Sequence, residues 1–148
     1  MDLTPVAAGE RASLSTGVRW TLRPRPDGDG KYGRIEAINI DTRQVAWVAR
    51  QRAPQTTGVL ATAGGLLFAG ALDRVFAAYD AATGAVLWKT RLNDVPNSAP
   101  ISYAVNGKQY VAMVVGNGGA QAVTFPPLVP EIQNPPDRGA ALWVFELP

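Results

Sequence analysis

The stretch that decides the fold reads A-Y-D-A-A-T-G-A-V-L-W and covers Ala78–Trp88. A β-rich run ends at Tyr79, Asp80–Gly84 carries turn-forming residues, and Val86–Trp88 begins the next strand with an aromatic side chain. The stretch therefore predicts a hairpin whose tryptophan stands at a fixed distance from its turn.

A related stretch covers Ala37–Trp47, and Trp47 precedes Trp88 by 41 residues. A strand-rich repeat of about forty residues is typical of β-propeller blades, which must stack face to face because each has two apolar faces. We expect each tryptophan ring to lie over the turn of the neighbouring blade, where the turn glycine permits close approach. The alternative is that Trp88 is an ordinary core residue and Asp80 an ordinary turn residue.

The composition indicates a globular protein built from short strands. The chain has 148 residues, of which 47% are hydrophobic and 18% charged, with 15 glycines and 12 prolines that favour turns over long helices. It contains no cysteine and no histidine. These absences exclude thiol nucleophiles, Ser-His-Asp triads, the usual zinc sites and covalent c-type haem attachment.

Basic residues are concentrated between Arg19 and Arg52, where eight of the fourteen lie beside four carboxylates. A nucleic-acid groove would interleave such residues with stacking aromatic rings, and only Trp20, Tyr32 and Trp47 lie here. We interpret the region as a solvated face rather than a polyanion site, and we expect no nucleic-acid partner. Neither a membrane span nor a signal peptide is visible.

The chain divides into an irregular beginning and a series of strands. We expect one strand within Leu14–Leu22, a Pro/Gly loop at Arg23–Gly30, and a hairpin with a type I′ turn at Asn106-Gly107. Gly116–Arg138 is rich in proline and is predicted to lack regular secondary structure. The predicted organisation is a lead-in at 1–33 and blades over 34–148: a partial blade at 34–58, a complete four-stranded blade at 59–98, and a last blade at 99–148 with a Pro-rich excursion at 120–138.

Several of these motifs together resemble one family. The pattern A-x-D-x-x-T-G-x-x-x-W of Ala78–Trp88 is similar to the tryptophan-docking motif of quinoprotein alcohol dehydrogenases, eight-bladed propellers that bind pyrroloquinoline quinone (PQQ). Leu60–Gly70, Ala99–Gly119 and Met1–Pro5 also resemble segments of that family. The resemblance implies an all-β fold, here a partial β-propeller of about three blades of four-stranded antiparallel sheets. The first repeat departs from the motif, with Asn39 in place of Asp and Arg43 in place of Gly.

The resemblance implies that this chain matches the C-terminal portion of a longer PQQ-dependent alcohol or glucose dehydrogenase. The family's catalytic Asp, its partner Arg, and the ligands of its calcium or lanthanide ion belong to earlier blades, so it implies no catalytic or metal-binding residue here. It further implies a periplasmic location and an external electron acceptor. The expected partner is the remainder of the propeller or another copy of the chain.

Two short segments would face the quinone in such a protein. Thr57-Gly58 falls where many members have Trp-Gly, and Gly119-Ala120 where many have Gly-Trp, so both aromatic contacts with the ring would be lost. The chain would then hold the quinone differently or have given up the cofactor. The implied cofactor-binding residues are Thr57, Gly58, Asn117, Gly118, Gly119 and Ala120.

Alternatives remain open for two features. Gly116–Gly119 is a structural turn near the propeller axis or a cofactor-lining loop; a phosphate loop is disfavoured because the spacing fits neither G-x-G-x-x-G nor the P-loop. Asp73, Asp80 and Asp94 are each interpreted as turn-forming rather than acid-base residues, because each stands beside turn residues.

The sequence thus predicts a C-terminal propeller segment of a PQQ-dependent dehydrogenase that oxidises an alcohol or sugar hydroxyl. It would contribute blades and part of the cofactor wall. The alternative, from a different functional class, is a non-catalytic propeller scaffold that binds protein partners.

Overall fold

The computed structural model describes residues 2–5, 18–116, 124–134 and 139–148. The secondary structure in these ranges is antiparallel β-sheet with one short 3₁₀ turn, so the predicted all-β class is confirmed. The strands are β1 Asp2–Pro5, β2 Val18–Thr21, β3 Gly33–Ile38, β4 Val45–Gln51, β5 Leu60–Ala61, β6 Leu66–Gly70, β7 Val75–Asp80, β8 Val86–Arg91, β9 Ile101–Val105, β10 Lys108–Val115 and β11 Ala141–Glu146.

The strands form four sheets. β1 pairs with β2, β3 pairs with β4 in what we call the first sheet, β5 to β8 pair in chain order in the middle sheet, and β9, β10 and β11 form the last sheet. Asn106 and Gly107 both have positive φ, 51° and 78°, as the predicted type I′ hairpin requires. The strand expected within Leu14–Leu22 is present as β2, and residues 6–17 lie outside the described ranges.

Both faces of β7, a strand of the middle sheet, are buried, and alternate residues of the strand point to opposite faces. Phe76 and Ala78 of β7 belong to an apolar cluster shared with Val111, Met113 and Val115 of the last sheet. Ala77 and Tyr79 instead belong to a cluster that includes Ile35 of the first sheet. The first and last sheets therefore pack on opposite faces of the middle sheet, which explains why β7 reads as a continuous apolar run.

Trp47 connects the first sheet to the hairpin turn of the middle sheet. Its indole N–H donates to the carbonyl oxygen of Ala81 at 3.0 Å. The ring lies so close to Gly84 that a Cβ added there would stand 2.5 Å from Cε3 of the indole. Only glycine allows this approach, and Gly84 also has a positive φ of 73°.

The turns of the two related stretches have the same hydrogen-bond pattern. The Asp80 carboxylate accepts the N–H groups of Ala82 and Thr83 at 3.0 and 2.8 Å. The Asn39 side-chain oxygen accepts those of Asp41 and Thr42, both at 2.9 Å. An amide oxygen can therefore replace the carboxylate in this turn, since both accept backbone N–H groups.

Arg43 occupies the position of the missing glycine in the first of these turns. Its φ is 57°, in the left-handed region, against 73° for Gly84. The departures at Asn39 and Arg43 thus preserve the turn, at a backbone cost for a non-glycine residue.

Trp88 behaves differently from Trp47. It is 42% exposed, and its ring meets Phe76 and Phe145 edge-on, with centroids 6.3 and 5.3 Å apart. It is therefore neither a fully buried core residue nor docked on a turn. The reason is that the last sheet, within the described residues, ends at β11, so the ring lies against Phe145 of that strand rather than against a following hairpin.

The Pro-rich excursion is more ordered than predicted. The expectation of no regular secondary structure is wrong at Pro126–Leu128, which forms a 3₁₀ turn. Val129 is fully buried in a cluster with Ala71, Leu72 and Val95. Proline suits the first positions of such a turn because its missing N–H would have no partner there.

Arg52 binds the described part of the Pro-rich segment, residues 124–134, to the rest of the chain. Its guanidinium binds the Glu131 carboxylate at 2.6 Å, donates to the carbonyl oxygen of Leu128 at 3.1 Å, and lies over the Tyr32 ring. Residues 124–134 are therefore a fixed part of the surface.

Replacing Gly84 by alanine tests the contact with Trp47. We expect Gly84→Ala to lower the free energy of unfolding by about 1–2 kcal/mol for the left-handed backbone and about 1–3 kcal/mol more for crowding of the indole. Gly65→Ala is the matched control, since Gly65 has a φ of 77° and nothing within 4 Å of an added Cβ. Denaturant unfolding of both variants measures the difference, and equal losses would contradict the contact.

The Asp80 turn should respond to acid. Hydrogen bonds from the Thr83 hydroxyl and the backbone N–H groups of Thr83 and Ala82 hold the pKa of Asp80 below its ordinary value. The carboxylate therefore contributes stability that is present above its unfolded-state pKa and lost as the pH falls through the lower folded pKa. Asp80→Asn should keep the turn, as Asn39 does, and remove this contribution to the pH dependence.

Unfolding curves from pH 7 down to about pH 3 check this expectation, since carboxyl groups titrate in that window. The stability difference between the native chain and Asp80→Asn should shrink as the pH falls. Asn39→Asp is the converse control and should introduce an acid-side dependence. A difference that stays constant with pH would contradict the role given to Asp80.

Candidate functional site

The candidate site begins with Thr57 and Gly58, which lie between β4 and β5. The Thr57 hydroxyl accepts the N–H of Gly70 at 2.8 Å and donates to the carbonyl oxygen of Gly58 at 2.7 Å. Gly70 is the last residue of β6. Thr57 therefore binds the end of a neighbouring strand, and its hydroxyl is already occupied by backbone groups.

The last sheet contains the same arrangement at Ser98, which follows Thr57 by 41 residues. The Ser98 hydroxyl accepts the N–H of Val114 at 2.8 Å. The backbone repeats as well: Thr56 donates to the Gly70 carbonyl at 3.1 Å, and Asn97 donates to the Val114 carbonyl at 3.1 Å. Ser98 was not predicted as a site residue, although a hydroxyl at the repeat spacing was a signal that could have found it.

These two segments are close to each other. A Cβ added to Gly58 would stand 3.3 Å from the Cβ of Ala99. The Pro96 ring packs on Gly70, where an added Cβ would stand 2.6 Å from the proline Cγ. The described part of the site is therefore a compact wall of backbone and small side chains.

The structure places two of the six predicted cofactor-binding residues. Thr57 and Gly58 are described, whereas Asn117, Gly118, Gly119 and Ala120 lie outside the described residues. The described chain reaches Gly116, whose N–H donates to the carbonyl oxygen of Val95 at 2.8 Å. Residue 95 adjoins Pro96, so Gly116 lies beside the Thr57 wall.

Thr57 and Gly58 alone do not make a quinone site. Stacking on a flat ring needs an aromatic or extended apolar surface, and these two residues supply a bonded hydroxyl and bare backbone. These small residues permit the close approach of a ligand and provide no charge. Any further contact would have to come from residues 117–120 or from elsewhere in a larger protein.

The three aspartates near the sheets bind their own turns, as predicted. Asp73 accepts the N–H of Val75 at 3.2 Å, and Asp94, which is buried, accepts that of Val95 at 2.7 Å. Asp80 serves its hairpin turn in the same way. Each of the three carboxylates is thus engaged with backbone N–H groups of its own turn, as expected of turn-forming residues.

Other chemical groups add little to the site. Burial raises the pKa of Tyr79, whose hydroxyl donates to the Gln51 side-chain oxygen at 3.3 Å.

In the ranges that the structure describes, no three Asp or Glu side chains gather in a group that could hold a metal ion. Within the same ranges, no helix has the length and apolar character of a membrane span.

Comparison with known proteins identifies the family. Residues 10–111 match the family model described as "PQQ: Glucose/ethanol/alcohol dehydrogenase, beta-propeller domain". Quinoprotein alcohol dehydrogenase PedE of Pseudomonas putida is 36% identical over 120 residues, which are 81% of this chain and 19% of that protein. Subunit 1 of methanol dehydrogenase [cytochrome c] of Methylobacterium organophilum is 36% identical over 151 aligned positions, covering 99% of this chain and 24% of that protein.

A solved structure supports the same assignment. A europium-containing methanol dehydrogenase aligns with a TM-score of 0.68 and 30% identity, covering 80% of this chain and 24% of the other. The chain thus spans about a fifth to a quarter of the length of these relatives. By sequence pattern, stacked antiparallel sheets and these matches, the chain belongs to the PQQ-dependent alcohol and glucose dehydrogenase family of β-propellers.

Proposed function

We propose that this chain is the C-terminal propeller segment of a PQQ-dependent dehydrogenase that oxidises an alcohol or sugar hydroxyl. The observation that carries the proposal is the contact of Trp47 with the turn of the middle sheet, which we interpret as the family's tryptophan docking. In this proposal the segment supplies blades. The catalytic Asp, its Arg partner and the ligands of a calcium or lanthanide ion come from other blades.

The segment also forms part of the cofactor wall in this proposal. Thr57 and Gly58 face the quinone together with Asn117, Gly118, Gly119 and Ala120. When bound at this wall, PQQ would supply the two-electron, two-proton redox chemistry of alcohol oxidation, with reoxidation by an external acceptor. The part of this chain is to exclude water and limit the space available to the ring, since the Thr57 hydroxyl already binds Gly58 and Gly70.

A periplasmic location belongs to the same proposal. It rests on membership of the family. The electron acceptor is proposed to be an external protein or small molecule.

A non-catalytic scaffold is the second candidate. The observation that favours it is the small, bonded side chain at position 57, where the family resemblance leads us to expect a stacking tryptophan. A propeller that no longer binds the quinone would keep its sheets, because the apolar clusters between them consist of other residues.

The encoding gene and the full-length product test the proposed function. We expect an open reading frame, continuous with this chain, that encodes further blades with an Asp, an Arg and carboxylate and amide metal ligands. The full product should oxidise alcohols in a dye-linked assay only when PQQ and the metal ion are supplied, and this 148-residue chain alone should not. A full product that folds but neither binds PQQ nor oxidises alcohols would favour the scaffold.

Exposed apolar side chains indicate that the isolated chain associates with other propeller surfaces or with itself. Leu142 is 66% exposed, Ile101 59% and Val144 44%. We expect sedimentation to show concentration-dependent association, because such faces are stable only when covered. Leu142→Lys should weaken association without lowering stability, since the side chain is mostly exposed. A stable monomer at all concentrations would contradict this expectation.

A further inference from the structure

A small basic cavity lies between the loop at residues 22–32 and the first sheet. Its volume is about 140 Å³. The charged residues of its lining are five cations and one carboxylate: Arg23, Arg25, Lys31, Arg34, Arg50 and Asp27. The lining therefore carries an excess of positive charge in a space that would hold one small ligand.

The single carboxylate of the lining is shared by three guanidinium groups. Asp27 binds Arg25 at 2.9 Å, Arg50 at 3.0 Å and Arg34 at 3.4 Å. Its pKa falls to about 2, chiefly through the hydrogen bond from Arg25, so it stays ionised at neutral pH. Glu36, outside the lining, pairs with Arg34. Even with both carboxylates counted, the cations remain in excess.

The fold itself brings two of these cations together. Arg34 of β3 and Arg50 of β4 are direct cross-strand partners in the first sheet. Like charges in this arrangement destabilise a sheet unless anions lie between them. Asp27 supplies one such charge, and a bound anion would supply more.

The loop holds its residues in place before any ligand binds. Arg50 donates to the backbone carbonyl of Asp27. The N–H of Gly28 donates to the carbonyl of Arg25 at 3.0 Å, and that of Lys31 donates to the carbonyl of Gly28 at 2.8 Å. A preorganised set of donors loses less conformational entropy on binding than a flexible one.

We propose that this cavity binds a phosphate group, either as inorganic phosphate or as the phosphate of a small ester. Guanidinium groups match the oxygens of phosphate with paired hydrogen bonds, and the Lys31 ammonium adds a point charge. The cavity volume limits the ligand to one such group with a small substituent. A nucleic-acid strand is a poorer fit, because the nearby Tyr32 ring is already covered by Arg52 and is not free to stack on a base on that side.

Calorimetric titration of the 148-residue chain with inorganic phosphate at low ionic strength tests the proposal. We expect saturable binding of one phosphate per chain, weakened by added salt. Lys31→Gln should weaken it about tenfold, the effect of losing one charge-assisted contact. Lys89→Gln, which removes an exposed lysine of β8 outside the lining, is the matched control and should leave the affinity unchanged.

Titration with glycerol 3-phosphate distinguishes the two sources of the phosphate group. Tighter binding of glycerol 3-phosphate than of inorganic phosphate would identify an ester as the ligand, and equal affinities would identify the free anion. Either result supports the site if Lys31→Gln weakens the binding. Circular dichroism and melting confirm that each variant is folded. Absence of saturable binding, equal losses in both lysine variants, or a single-stranded oligonucleotide that binds far more tightly than phosphate would overturn the proposal.

Discussion

The structure depends on the burial of both faces of β7 in the middle sheet. Phe76 and Ala78 belong to the cluster shared with the last sheet, and Ala77 and Tyr79 to the cluster shared with the first, so these residues are buried on both faces of β7. Burial of apolar surface on this scale is the main favourable term in folding, and it is available only when three sheets stack. The Trp47 contact with Ala81 and Gly84 then fixes how the first sheet meets the middle one.

The two hairpin turns show which chemistry such a turn requires. It needs an oxygen that accepts two backbone N–H groups and a residue that tolerates a left-handed backbone. Asp80 and Asn39 both supply the accepting oxygen, and Gly84 and Arg43 both adopt the left-handed backbone. Only Gly84 must also accommodate an indole ring. The Asp80–Gly84 turn therefore meets two requirements, one set by its own backbone and one by the neighbouring sheet.

The segments that contain Thr57 and Ser98 also use side-chain oxygens to bind backbone groups. Thr57 and Ser98, 41 residues apart, each use a hydroxyl to bind the backbone of an adjacent strand. A residue that looks like a lost cofactor contact in the sequence is thus also a structural residue. The family assignment rests on the whole pattern of strands and turns, whereas the quinone contacts of this chain depend on positions 57, 58 and 117–120 and remain a proposal.

The sequence by itself determined most of the strands, their hairpins and the family, because strand patterns, turn residues and the Trp-ended repeat are local features; it missed β1, which pairs with β2 in the stretch predicted to be irregular. It also proposed Thr57 and Gly58 as residues that face the quinone, through the resemblance alone, and that stays a prediction. Tertiary structure decided that Trp47 docks on Gly84 whereas Trp88 lies half-exposed beside Phe145, since a ring's environment depends on which sheet stands opposite. It likewise decided the packing of Val129 and the gathering of Arg34 and Arg50 around Asp27, because long-range packing and cross-strand pairing join residues that no local pattern relates.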